Sequence, residues 1–111
     1  MDLNQTREGP VTVIAVCGRL DNASAGTLGD RLSSELDGTD GRLLLELSQL
    51  DYISSAGFRV LLVAAKRARE SGGQIALAGI AGHVRQLFEI GGFLKLFRVF
   101  GSRAEGLEAL R

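Results

Sequence analysis

Arg42-Leu43-Leu44-Leu45-Glu46-Leu47 is a short, largely apolar run, and the residues around it decide the fold class. Apolar side chains on both faces of so brief a run indicate a strand buried on both sides. After a connection over residues 48–55, a helix is expected at about 56–70. Gly57, Leu61, Ala64, Ala65 and Ala68 make its inner face, while Arg59, Lys66, Arg67, Arg69 and Glu70 fall largely outward. Gly72-Gly73 stops this helix, and Gln74-Ile75-Ala76-Leu77-Ala78 reads as another buried strand. Strand, helix and strand in this order form a right-handed crossover between parallel strands.

The same alternation extends in both directions. Upstream, Val11-Thr12-Val13-Ile14-Ala15-Val16-Cys17 is β-branched and apolar on both faces, and Gly18 is expected to end it. Residues 3–8 read as a polar edge strand, joined to the next by Gly9-Pro10. Asp21, Asn22 and Ser24 offer capping side chains before a helix at 25–36, on which Leu28, Leu32 and Leu36 form one stripe. Residues 37–41 read as a turn. Downstream come a short helix at 82–90, a stop at Gly91-Gly92 and a last strand at 96–100. A final helix runs through Leu110, with Ser102 and Glu105 in capping-box spacing. The expectation is an α/β domain with a mixed, mostly parallel sheet of about five strands and about four helices. At 111 residues the chain suits one domain, taken as 1–111.

Composition narrows the function. Thirteen basic residues balance thirteen acidic ones, so no overall field recruits nucleic acid or an anionic membrane. The N-terminal octet lacks the apolar stretch of a signal peptide, and the longest apolar runs, such as residues 60–65, are too short to span a bilayer. One cysteine permits no internal disulfide. The expected setting is cytoplasmic, with no membrane insertion.

Enzyme chemistry finds little purchase. His83 is the only histidine and accompanies no G-x-S-x-G elbow. Cys17, in a buried strand, reads as an inert core thiol. One Cys and one His make no ordinary zinc site, and neither P-loop nor dinucleotide fingerprint is present. Neither catalysis, a cofactor nor a metal is expected. The Lys66-Arg67-Ala68-Arg69 run is most simply a solvated helix face. The apolar cluster of Leu87, Phe88, Phe93, Leu94, Leu96, Phe97 and Phe100 is read mainly as core, the alternative being that part of it stays exposed as a partner or self-association surface.

In sheets of this kind functional loops gather where strands hand over to helices. Two connections stand out, residues 18–24 and 48–57. In the second, Ser54 and Ser55 meet the first turn of a helix, followed by the small residues Ala56 and Gly57. An anion there meets free N–H donors and the positive end of the helix dipole. The simpler alternative is that one serine is an N-cap and that Gly57 serves close helix–sheet packing.

Asp51-Tyr52-Ile53-Ser54-Ser55-Ala56-Gly57-Phe58-Arg59-Val60-Leu61-Leu62 resembles the signature of the STAS domain, specifically of anti-sigma factor antagonists. Gly18-Arg19-Leu20-Asp21-Asn22 resembles that family's loop after its second strand, and the element order matches from Leu3 to Leu110. The resemblance implies a binding protein whose partner is a serine-kinase anti-sigma factor with an ATPase-like fold. That kinase phosphorylates a hydroxyl at the helix start, and a metal-dependent serine phosphatase reverses the reaction. Many members carry Asp-Ser-Ser-Gly or Asp-Ser-Thr-Gly there. The first hydroxyl position falls on Ser55 and the second on Ala56, so only Ser55 aligns as acceptor. Ser54 replaces the aspartate and is the second-choice site. Asp21 matches an acidic position on the kinase-facing surface, although an N-cap or turn role serves it equally well. The partner-binding set implied is Asp21, Asn22, Ser24, Ser54, Ser55, Ala56, Gly57 and Arg59. The runner-up is a STAS subunit or scaffold of a transporter or other multiprotein complex, docked constitutively.

Overall fold

The structure is a computed structural model that describes residues 1–37 and 41–111. The expected turn at 37–41 therefore lies mostly outside the described residues. The elements run β1 (Asp2–Glu8), β2 (Val11–Leu20), α1 (Ala25–Leu36), β3 (Arg42–Glu46), β4 (Leu50–Ile53), α2 (Ser55–Ser71), β5 (Gln74–Ala78), α3 (Gly82–Ile90), a 3-10 turn (Phe93–Leu96), β6 (Arg98–Phe100) and α4 (Arg103–Leu110).

The sheet is mixed and mostly parallel, ordered β1-β2-β3-β5-β6, with β4 also hydrogen-bonded to β2. Among the described residues only β1 and β2 pair antiparallel, in a hairpin that sets Glu8 opposite Val11 and Asp2 opposite Cys17. Strand alternation sorts the core into two layers. Ile14 and Val16 of β2, Leu43 and Leu45 of β3, and Ile75 and Leu77 of β5 face α1, α2 and α3. Val11, Val13, Leu44, Ala76 and Ala78 face the other way, against Leu107 and Leu110 of α4. Burial on both faces explains why these strands read as continuous apolar runs.

Helix starts follow their local chemistry. The Ser102 hydroxyl accepts the Glu105 amide at 3.2 Å, which fixes the start of α4. α2 ends at Gly72 in the left-handed conformation, as the Gly72-Gly73 stop implies. On α3, Val84 and Phe88 are buried. Phe88 meets Phe58 edge-on at 4.8 Å, and Phe93 stacks on Phe58 at 4.1 Å, so one aromatic group joins α2, α3 and the 3-10 turn.

The mixed, mostly parallel sheet of about five strands agrees with the six described strands, the addition being β4 within residues 48–55. Three expectations need correction. Gly18 does not end β2: at φ +92° it marks a register shift, after which Arg19 and Leu20 pair with Tyr52 and Ile53. The last strand is only Arg98–Phe100, since residues 93–96 coil into the 3-10 turn. Cys17 is half-buried rather than core, because it lies opposite Asp2 near the end of the hairpin.

Candidate functional site

The site is built where β2, β4 and α2 meet. Beyond Gly18, β2 leaves β3 and takes β4 as its parallel neighbour. The Gly18 amide bonds the Gln49 carbonyl at 3.0 Å, and the Ser54 amide bonds the Leu20 carbonyl at 2.9 Å. Two loops about thirty residues apart in sequence are thereby fastened into one rim.

On the first loop, Asp21 is half-buried and organises a turn. Its Oδ1 accepts the Ala23 and Ser24 amides, each at 3.1 Å. The Ser24 hydroxyl accepts the Asp21 amide at 2.9 Å. It also lies 3.1 Å from Asp21 Oδ1 and 3.0 Å from the Arg19 carbonyl, with one proton to give to either acceptor. The Ser24 hydroxyl, then the Ser24 amide, lower the Asp21 pKa from its ordinary value. Desolvation opposes these two, and the Ala23 amide and then the Arg19 charge add smaller lowering effects. Asp21 is thus an anionic turn residue at physiological pH. Ser24 stands at the N-cap position of α1 without capping it by its side chain. Asn22 is exposed beside them.

On the second loop the two serines have separate roles. Ser54 is the N-cap of α2, half-buried, its hydroxyl accepting the Gly57 amide at 3.2 Å. Ser55 is the first helical residue and is exposed. Gly57 is buried under the rim. A Cβ there would stand 2.8 Å from Leu20 Cγ and 2.9 Å from Ile53 Cγ1, so the absent side chain lets α2 sit close on the ends of β2 and β4. Ala56 is half-buried. Arg59, one turn on, is exposed and lines a shallow groove between α1 and α2 with Asp30, Ser33, Val60 and Val63.

Sequence reasoning passed over two residues of the rim. The Arg19 guanidinium lies 4.3 Å from the centre of the Tyr52 ring, and its Nε is 4.0 Å from Asp21 Oδ2. Arg19 and Tyr52 share a shallow depression with Asp21, Asn22, Ala23 and Ser54. The only signal that could have found them is that Arg19 and Tyr52 stand in the two motifs already singled out. Their facing each other depends on the β2–β4 pairing.

His83 is exposed on the first turn of α3. Among the described residues, no three of His, Cys, Asp and Glu are grouped to hold a metal ion. No described helix is long and apolar enough to cross a membrane.

The STAS domain profile matches residues 3–106, and the chain belongs to the STAS domain family. A curated relative from Bordetella bronchiseptica, "Putative anti-sigma factor antagonist BtrV", is 37% identical over 111 residues, covering 100% of this chain and 96% of that protein. The crystal structure of "a putative anti-sigma factor antagonist (tm1081)" from Thermotoga maritima superposes with a TM-score of 0.90 at 19% identity, covering 98% of this chain and 94% of that one. The Bacillus cell fate determinant SpoIIAA in its phosphorylated form superposes at 0.73 and 16% identity, covering 99% and 100%. The fold also recurs inside the murine anion transporter Slc26a9, at 0.77 and 19% identity, covering 95% of this chain but 18% of the transporter. These structural likenesses define the fold. The relationship to anti-sigma factor antagonists rests on the 37% identity along the whole length.

Proposed function

We propose that residues 1–111 act as one cytoplasmic partner-switching domain, an anti-sigma factor antagonist that binds a kinase-type anti-sigma factor and is released when Ser55 is phosphorylated. The observation that carries this reading is the division of labour between the two serines. Ser54 is engaged as the cap, whereas Ser55 presents its hydroxyl on an exposed rim at the positive end of a 17-residue helix. The partner is a serine kinase with an ATPase-like fold, and a metal-dependent serine phosphatase regenerates the binding form. No catalytic residue of the chain takes part.

The switch works by charge. Asp21, Asn22, Ser24, Ser54, Ser55, Ala56 and Arg59 form the contact rim, with Gly57 as its floor. Phosphorylation adds about −1.5 to −2 charges at Ser55. The helix N-terminus tolerates them in the free protein, so the fold need not change. Against a docked partner they must be desolvated on a rim that already carries the Asp21 carboxylate. A loss of about 3 kcal/mol in complementarity weakens binding by over a hundredfold. Support for this reading comes from the BtrV relationship and from the existence of a phosphorylated structure of this fold.

The test is a pull-down from native cytosol with wild-type, Ser55→Ala and Ser55→Asp baits, followed by mass spectrometry of prey and phosphosites. Wild type and Ser55→Ala should capture a kinase-like anti-sigma factor that Ser55→Asp does not, with phosphate on Ser55. Recovery of the same transporter subunits by all three baits, with Ser55 unmodified, would replace the switch by a constitutive scaffold.

A further inference from the structure

A cavity opens at the far end of α2 from the Ser55 rim. At about 1.5 Å of rise per residue, Arg69 stands roughly 21 Å along the helix from Ser55. The cavity lies between the last turns of α2, the start of β5 and the 3-10 turn before β6, and encloses about 230 Å³. Ala65, Ala68 and Ile75 line it on one side and Leu96 and Phe97 on the other. Leu96 is 53% exposed, so part of this apolar lining is open to solvent.

The mouth carries charge of one sign. Arg69 and Arg98 both line the cavity, and no carboxylate does so among the described residues. Arg98 is held in place: its Nη1 donates to Gln74 Oε1 at 3.1 Å, and its guanidinium lies 5.7 Å from the Phe100 ring centre. A guanidinium is a planar fork matched to a carboxylate. The volume exceeds the roughly 150 Å³ that suffices for benzene and falls short of the roughly 300 Å³ at which drug-sized sites begin.

We propose that this cavity is a binding site for a small monocarboxylic acid with an apolar tail. The tail lies against Ala68, Ile75, Leu96 and Phe97, and the carboxylate sits between Arg69 and Arg98. The proposal is independent of the switch at Ser55.

The test is an NMR titration of the whole chain with octanoate, with octanol as the uncharged control and Arg69→Gln and Arg98→Gln as variants. Both arginines are exposed, so the variants should keep the wild-type spectrum away from the cavity. Saturable one-to-one shifts at Ile75, Leu96 and Phe97 are expected. Octanol should bind more weakly by about tenfold or more, and each variant should lose a comparable factor. Equal binding of octanol, unchanged affinity in both variants, or shifts that never saturate would overturn the assignment. The same residues shifting when the protein alone is concentrated would give the face to a second copy instead.

Discussion

The Ser54 amide donates to the Leu20 carbonyl at 2.9 Å, and this bond carries the β2–β4 pairing on to the start of α2. Leu20 is fully buried, whereas Ser54 is half-buried at the surface. The bond therefore places the Asp21 turn and the Ser55 helix start beside each other without any side chain of the contact rim having to hold them.

The two serines should separate in a stability experiment. Ser54→Ala removes the acceptor of the Gly57 amide and should cost about 1 kcal/mol, within the 0.5–2 range of lost caps. Ser55→Ala should stay within about 0.5 kcal/mol of wild type, as exposed substitutions do. Urea denaturation of both variants reads the difference. A larger loss for Ser55→Ala would give that residue a structural role that the fold does not assign it.

Gly57→Ala opposes two effects. Alanine improves helix propensity by about 1 kcal/mol. The new methyl also meets Leu20 and Ile53 inside 3 Å. Overpacking of this kind costs about 1–3 kcal/mol, and with two buried neighbours it should win, leaving net destabilisation. Adding Leu20→Val should make the pair less unstable than the sum of the two single changes. Strict additivity would show that α2 simply shifts to make room.

Acid should act on the Asp21 turn in a definite direction. The folded pKa of Asp21 is lowered, so its carboxylate contributes to stability above the ordinary aspartate value of about 3.9. That contribution falls away as pH drops from there through the folded pKa. The stability gap between wild type and Asp21→Asn should therefore narrow below about pH 4 and hold steady from about pH 5 to 7. A gap that widens on acidification would contradict the hydrogen bonding described.

The aromatic group makes a sharp contrast on one helix. Phe88→Ala should destabilise by about 3–5 kcal/mol, because the ring is fully buried against Phe58 and Phe97. Ile90→Gln, two residues on, should be nearly neutral, because Ile90 is 84% exposed. Thermal unfolding of both variants checks the placement of α3.

Most of the strand and helix order was legible because these strands are covered on both faces and their helices carry single apolar stripes. β4 was not. Its buried residues, Leu50 and Ile53, are three apart, so no alternation marks it. It is a strand only because β2 runs past Gly18 to meet it. The Gly18 misreading has the same origin, since a glycine inside a strand pattern signals a bulge as readily as an end. The last strand was expected from Leu96, yet Leu96 closes the 3-10 turn that begins at Phe93, where the ring stacks on Phe58, and the strand starts only at Arg98. For the site, local spacing pointed to Ser54 and Ser55 but left open which was the cap. The bond from the Gly57 amide answers that. The Arg19–Tyr52 stack was out of reach, because it joins two strands whose pairing was itself unforeseen.

β2 is flanked by β1 on one side and by β3, then β4, on the other. Its central amides should be among the last to exchange with deuterated solvent, while the unpaired side of β1 exchanges early. The Asp21 turn and the Ser55 helix start both hang from this well-protected strand. A partner docking there as proposed would meet a surface that is already ordered, and association would give up little conformational entropy in forming it.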